Sequence, residues 1–388
     1  MPKAANLLPP ACMPHAGALL FQGKRARWPE GLFTEVGFAE ARRAIAQWDG
    51  YRPTPVHELS GLALKLGVST IFFKDEGRRF NLKSFKALGG AYAVDRLVAE
   101  HGRDITVTCA TDGNHGRSVA WGASRAGCRC VIYIHEQVSE GRAEAIASFG
   151  AEVRRTGANY TASVRQAAKD AATHGWLVVS DTSYAGYTDV PKLVMYGYGV
   201  MADEALDELG SRPDFVLLQG GVGGLAAAVI ARLHHRFVGN PPIVVIVEPD
   251  RAACLLASAK QDALTEVEIV EETVMAGLSC GEPSLIAWEI VKAGTDWFMA
   301  IPDHAAEETM RWLAWPGDGD TALAIGESGV ASLAGLIALA ASPANRERVG
   351  LETSSSILAF ATEGATDPEI YKRIVGREAE EVEQAYET

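Results

Sequence analysis

Apolar runs rich in β-branched residues recur along the chain at residues 70–76, 105–112, 129–136, 176–183, 214–221, 242–250 and 355–364. Each is bounded by Gly, Pro, Asp or Ser and has the length of a buried strand. Between them lie residues 88–102, 115–127, 140–150, 161–175 and 225–237, whose apolar positions repeat with helical spacing and which mostly end at Gly. Continuous apolar strands alternating with helices predict parallel sheets covered on both faces. The fold class read from the pattern is therefore α/β with doubly wound parallel sheets. In such sheets ligands bind beyond the carboxyl ends of the strands, which directs attention to the strand-to-helix turns.

At 388 residues the chain exceeds what one compact core usually supports, so two domains are expected. No Gly/Ser or Pro-rich linker separates them, which predicts that the chain crosses between domains instead of completing one before the other. The apolar stretch from Gly329 to Ala344 is interrupted by Pro343 and is shorter than the roughly 20 residues of a membrane span, so a buried helix is expected there. The Glu-rich tail after Pro368 reads as a surface helix. The start of the chain is too rich in proline and too weakly apolar for a secretory signal, and a cytoplasmic location follows as the default.

A net charge of −13 disfavours nucleic acid and anionic membranes as partners. The six cysteines form no CxxC pair, no HExxH occurs, and adjacent His234 and His235 would point apart on a helix. No metal is expected, and the cysteines read as reduced, buried apolar residues.

Three turns carry candidate chemistry. Gly220, Gly221, Val222, Gly223 and Gly224 follow an apolar strand and open a helix, where glycines and helical N–H groups admit a phosphate. Gly221, Gly223 and Ala226 also satisfy a dinucleotide pattern, with Glu248 placed where a ribose-binding acid would sit. A dinucleotide, a single phosphate and a bare tight turn all remain open from this motif alone. The second turn, Ser84-Phe85-Lys86, puts a lysine at a helix start, where desolvation and the helix dipole favour a neutral, nucleophilic amine. Lys83 is its rival, and a plain surface lysine is the alternative. The third, Thr111 to Gly116, combines a helix cap with Asp112, Asn114 and His115, a cluster that capping alone does not account for.

Taken together these turns resemble the fold-type II pyridoxal-phosphate enzymes, the family of tryptophan synthase β, threonine synthase and the serine and threonine dehydratases. Ser84-Phe85-Lys86, preceded by Lys74-Asp75-Glu76, is similar to the family's cofactor-lysine segment. Asp112 to Gly116 resembles the loop whose Asn bonds the cofactor's phenolic oxygen, and Gly220 to Gly224 the phosphate cup. The helix Gly197 to Glu204, Glu327-Ser328-Gly329 and Ala361 to Gly364 complete the series over roughly residues 50 to 370. Within the family, N-L-K-S-F-K-A-L-G-G-A-Y, T-D-G-N-H-G and T-E-G-A-T-D-P are most similar to the diaminopropionate ammonia-lyase group, with Asp112 the specific signal. The sequence departs from that group at Lys83, where smaller or uncharged residues are common.

The resemblance implies pyridoxal 5'-phosphate carried on Lys86 and held by Asn114, the Gly220–Gly224 loop, Glu327 and Thr362, the last facing the pyridine nitrogen. It implies α,β-elimination of D- or L-2,3-diaminopropionate to pyruvate and ammonia, Lys86 taking the α-proton from one face and Asp112 from the other. Asp181 is the carboxylate expected beside the substrate's β-ammonium. The alternative is a dehydratase of serine, threonine or 3-hydroxyaspartate; a nicotinamide dehydrogenase would leave the lysine and Asn-His turns unexplained. A large domain of residues 1–87 and 194–388, a small one of 88–193 inserted in it, and a homodimer follow as further expectations. Cys254 and Cys280 flank a segment that could cover the site and are candidates for a disulfide, against which a reducing cytosol would work.

Overall fold

The computed structural model describes residues 19–387 apart from 112, 158, 317 and 318. Its strands, in chain order, are β1 (Leu19–Gln22), β2 (Val56–Glu58), β3 (Thr70–Asp75), β4 (Thr106–Ala110), β5 (Arg129–Ile134), β6 (Glu152–Arg155), β7 (Leu177–Val178), β8 (Phe215–Gln219), β9 (Ile243–Pro249), β10 (Trp297–Ile301) and β11 (Ser356–Ala361). They form a seven-stranded sheet, β1-β10-β9-β8-β11-β3-β2, and a four-stranded sheet, β6-β5-β4-β7. The small sheet is parallel throughout; the large one is parallel except at its two edges, where β1 and β2 run against their neighbours. All four strands of the small sheet lie between residues 106 and 178.

The apolar runs are continuous because both faces of the large sheet are buried. On β8, Val216 and Leu218 face a core shared with the Asp189–Leu209 and Gly224–Arg236 helices. Phe215 and Leu217 face the opposite core, shared with the Ala331–Ala341 and Asp303–Ala314 helices. A strand with one wet face would alternate with polar residues; this one cannot.

Every apolar run named above contains a strand, but the 176–183 run keeps only Leu177–Val178 in the ladder and spends the rest on a turn. The stretch from Gly329 is a buried helix as expected, and a second helix begins at Pro343. The tail departs from expectation. It forms two helices, and Tyr371, Ile374, Val375, Ala379 and Val382 are buried in the core of the large sheet, so its acidic residues coat one face of an amphipathic unit. His234 and His235 do diverge, His234 stacking on Trp28 and His235 edging against Phe38. Among the described residues no helix is long and apolar enough to cross a membrane.

Two features fix the helix that begins at Lys86. First, it lies against the Asp189–Leu209 helix so closely that a Cβ on Gly197 would fall 2.3 Å from the Leu88 carbonyl oxygen. Second, a buried set of charges anchors the strand ahead of it. Lys74 on β3 donates to Glu204 (2.7 Å), Arg79 donates to both Glu204 and Glu76 (2.6 and 2.8 Å), and Thr54 and Tyr51 donate to the same carboxylates. Each of the four charged side chains is at most 2% exposed, and burial's opposition to the Glu204 charge is overcome by the two cations, which hold its carboxyl below the usual range. Removing one partner strands the others without compensation. Glu204→Ala is expected to cost about 3–5 kcal/mol of stability, read by denaturant titration. Glu35→Ala, which removes a half-exposed partner of Arg232, is expected to cost under about 1 kcal/mol.

Candidate active site

The carboxyl ends of the parallel strands of both sheets converge on one region. β4 leads to Thr111 and Asn114, β7 to Asp181, β8 to the glycine loop, β9 to Glu248 and β11 to Thr362 and Glu363. This is where an open parallel sheet binds its ligand.

Lys86 is the first residue of the Lys86–His101 helix, and the turn before it is stitched to the end of β11. Phe85 N–H donates to the Thr362 carbonyl (3.0 Å), Gly364 N–H to the Lys83 carbonyl (2.9 Å), and Ser84 pairs with Glu363. Phe80, Asn81 and Lys83 adopt positive φ, the left-handed region that side chains rarely enter. The rival lysine is disposed of by geometry: Lys83 pairs with Glu383 at 2.9 Å.

The Lys86 amine donates to Asp181 in a short hydrogen bond. This corrects the expectation of a neutral amine. Burial does disfavour the ammonium, but the adjacent carboxylate outweighs it and holds Lys86 above the usual lysine range. Asp181 is likewise held below the usual carboxylate range, burial being overcome by Lys86 and by His115. The two side chains form a partly buried ion pair.

Three further polar groups lie close by. The Tyr198 ring lies 5.8 Å from the Lys86 nitrogen, and its hydroxyl is buried without a hydrogen-bond partner among the described residues. His115 places Nδ1 3.9 Å from Asp181 Oδ2 while Nε2 lies 2.8 Å from the Val179 carbonyl. Ser118 donates to the Lys86 carbonyl (2.5 Å), joining the Asn114–Ala126 helix to the start of the lysine's own.

Asn114 opens the Asn114–Ala126 helix, which Thr111 caps by accepting from the N–H groups of Gly113 and Gly116 (both 3.1 Å). Asp112 lies outside the described residues. The Asn114 amide donates to Glu363, which also accepts from Ser328 N–H at 3.1 Å. Burial raises the Glu363 carboxyl, and burial with the Glu363 charge pushes Glu327 up to about 8. Arg142, arriving from the small sheet, sits 3.3 Å from Asp367 and 4.0 Å from Glu327. Thr362, next to Glu363 in the chain, is buried. Glu363, Arg142, Tyr198 and the His115–Asp181 contact were missed as site features: Glu363 and Tyr198 lay inside quoted motifs, whereas Arg142 sits in an unremarkable surface-type helix with no local signal.

The glycine loop turns with φ of +64° at Gly221 and +93° at Gly223. The first bond inside the following helix runs from Ala227 N–H to the Gly223 carbonyl, so the N–H groups of Gly224, Leu225 and Ala226 have no acceptor within it. Val222 and Ser183 are both tied to Ser284, which joins the loop to the Asp181 segment, and a Cβ on Gly224 would lie 3.6 Å from the Asp181 carbonyl. Glu248, the acid a dinucleotide would need, is committed elsewhere: its two oxygens accept from Leu255 and Leu256 N–H (2.8 Å each) and cap the Cys254–Gln261 helix. Cys254 and Cys280 are not joined by a disulfide, and Cys254 donates to the Gly221 carbonyl at 3.4 Å. Among the described residues no group of His, Cys, Asp or Glu could hold a metal. The donor set, an amine, a side-chain amide and a glycine cup of orphan N–H groups, fits a molecule with a carbonyl carbon at one point and a phosphate at another.

Comparison with known proteins agrees. Residues 47–354 match the family described as pyridoxal-phosphate dependent enzymes. The chain is 38% identical over 367 residues to the diaminopropionate ammonia-lyase of Escherichia coli strain K12, covering 89% of this chain and 92% of that protein. The Salmonella typhimurium protein of that name is 37% identical over 362 residues, covering 85% and 90%. The E. coli enzyme in complex with an aminoacrylate–PLP azomethine reaction intermediate superposes with a TM-score of 0.87 at 37% identity, over 93% of this chain and 97% of that one. Threonine deaminase isoform 2 from Solanum lycopersicum shares the fold, with a TM-score of 0.77 at 19% identity. With its lysine, amide and glycine cup on the same scaffold, this chain belongs to the pyridoxal-phosphate-dependent enzymes of fold type II, in the group of the diaminopropionate ammonia-lyases.

Proposed function

We propose that the protein eliminates ammonia from 2,3-diaminopropionate, of D or L configuration or both, and yields pyruvate and a second ammonia with the uptake of one water. The observation that carries this reading is Asp181, a largely buried carboxylate whose partner is an ammonium. Once the Lys86 amine is engaged by the cofactor, the ammonium it gave Asp181 is gone, and the β-ammonium of a diamine is the charge that a substrate can bring in its place. A β-hydroxyl brings no charge to that carboxylate, which sets the diamine ahead of serine, threonine or 3-hydroxyaspartate.

Bound pyridoxal phosphate supplies the electron-accepting ring that takes up the pair left when the α-proton departs. The remaining work falls to the chain. Lys86 anchors the cofactor and removes the α-proton from one face; Asp112 removes it from the other. Asn114 holds the phenolic oxygen and Thr362 offers a neutral hydroxyl to the pyridine nitrogen, with Glu327 beside it. The loop of Gly220, Gly221, Val222, Gly223 and Gly224 holds the phosphate; Gly220 N–H is spent on the Val247 carbonyl (2.9 Å) and Gly223 N–H on that of Gly220 (3.3 Å), which leaves the N–H groups of Gly221, Val222 and Gly224 and of the helix start to donate. A homodimer in the cytoplasm, with residues 88–193 as a small lobe inserted in a large one, belongs to the same proposal on the strength of the resemblance.

Pyruvate release from D- and L-diaminopropionate, D- and L-serine, threonine and 3-hydroxyaspartate tests the reading. Turnover is expected to be greatest on diaminopropionate; a hydroxy amino acid turned over faster would replace it. Asp181→Asn is expected to lower kcat/KM on diaminopropionate by roughly 10²–10³ while affecting serine far less, as loss of one partner of a buried charge pair requires. Asp112→Asn is expected to remove about 10²–10⁴ of the rate on one enantiomer only.

A further inference from the structure

We propose that His115 stores the proton that the Lys86 ammonium must release before its amine can react. This rests on Lys86 being the reactive amine. The pair with Asp181 holds Lys86 charged, yet capture of a carbonyl needs the neutral amine.

Among the described residues the geometry provides one nearby destination. His115 Nε2 is 2.8 Å from the Val179 carbonyl, which can only accept, so Nε2 carries hydrogen and the neutral ring has a lone pair on Nδ1. That Nδ1 is buried, has no hydrogen-bond partner among the described residues, and lies 3.9 Å from Asp181 Oδ2. Oδ2 is also the oxygen to which Lys86 donates. Two acceptors facing one another across this gap leave room for one proton, and the closest is on the lysine. In the transfer one N–H bond of Lys86 breaks and its electron pair stays on Nζ. The proton passes by way of Oδ2 to the Nδ1 lone pair, where a new N–H bond forms. The trio goes from Lys⁺/Asp⁻/His⁰ to Lys⁰/Asp⁻/His⁺ with no change in net charge, and the imidazolium then has the Val179 carbonyl at Nε2 and faces the Asp181 carboxylate with Nδ1.

The other titratable groups near Asp181 do not compete. Burial raises Tyr198, Tyr187 and Cys109 and keeps them protonated near neutrality. His115 itself is lowered by burial and by the Lys86 charge and raised by Asp181, so neutralising Lys86 is the change that frees it to accept. Among the described residues, Asp181, Lys86 and the Val179 carbonyl are the groups that act on it from the surrounding elements.

Two measurements test this. In ¹⁵N-histidine NMR of the full chain, Lys86→Met is expected to raise the pH at which His115 Nδ1 becomes protonated by about one unit or more relative to the native chain. Separately, the initial rate at which pyridoxal phosphate becomes reducible onto Lys86 is followed against pH. His115→Gln is expected to shift that profile to higher pH and to reach the native plateau once the amine is neutral without help. An unchanged profile in folded His115→Gln, or a His115 titration indifferent to Lys86→Met, overturns the proposal. If His115→Gln fails to fold, the NMR comparison decides alone. A reduced adduct found on a residue other than Lys86 overturns the reading of the lysine, while the His115 titration still reports on the relay.

Discussion

A charged hydrogen bond between the Lys86 amine and the Asp181 carboxylate joins the two halves of the molecule at the place where both sheets end. Lys86 heads a helix that follows the large sheet's β3, and Asp181 follows the small sheet's β7. Neither charge would be tolerated alone in so enclosed a setting. The pair therefore sets the resting protonation of the site, the partner that any incoming amine must replace, and the need for somewhere to put a proton.

Much of this was legible in the chain. The apolar runs located the parallel strands, and the glycine loop, the lysine turn and the Asn-His turn fell at strand ends, as an α/β pattern requires. Four strands escaped: β10, which reads WFMAI, is wholly buried and carries a plain apolar signature that was passed over, and three edge strands with little signature. β6 reads EVRR, β2 is three residues long and β1 is four, and strands that short at or near a sheet's edge carry little pattern of their own. The tail was misjudged because its acidic count hid a spacing that buries Tyr371, Ile374 and Val382 on one face.

The charge on Lys86 was misread for a related reason. Desolvation is a property of the segment and can be guessed; the carboxylate that reverses its effect lies 95 positions away and is delivered by topology. The same holds for Asn114 and Glu363, separated by 249 positions. Motifs reveal which groups are present at a site, and tertiary contacts decide their state of charge.

The stitching of the lysine turn to β11 has a consequence for shortened forms of the chain. The turn's three left-handed residues are costly by themselves, at roughly 1–3 kcal/mol each. One of them, Lys83, is fixed through its carbonyl by Gly364 N–H, and the turn's Phe85 N–H by the Thr362 carbonyl. The lysine segment is thus shaped by residues far downstream of it. A fragment that stopped short of β11 would keep the whole lysine motif and lose the bonds that give it its shape.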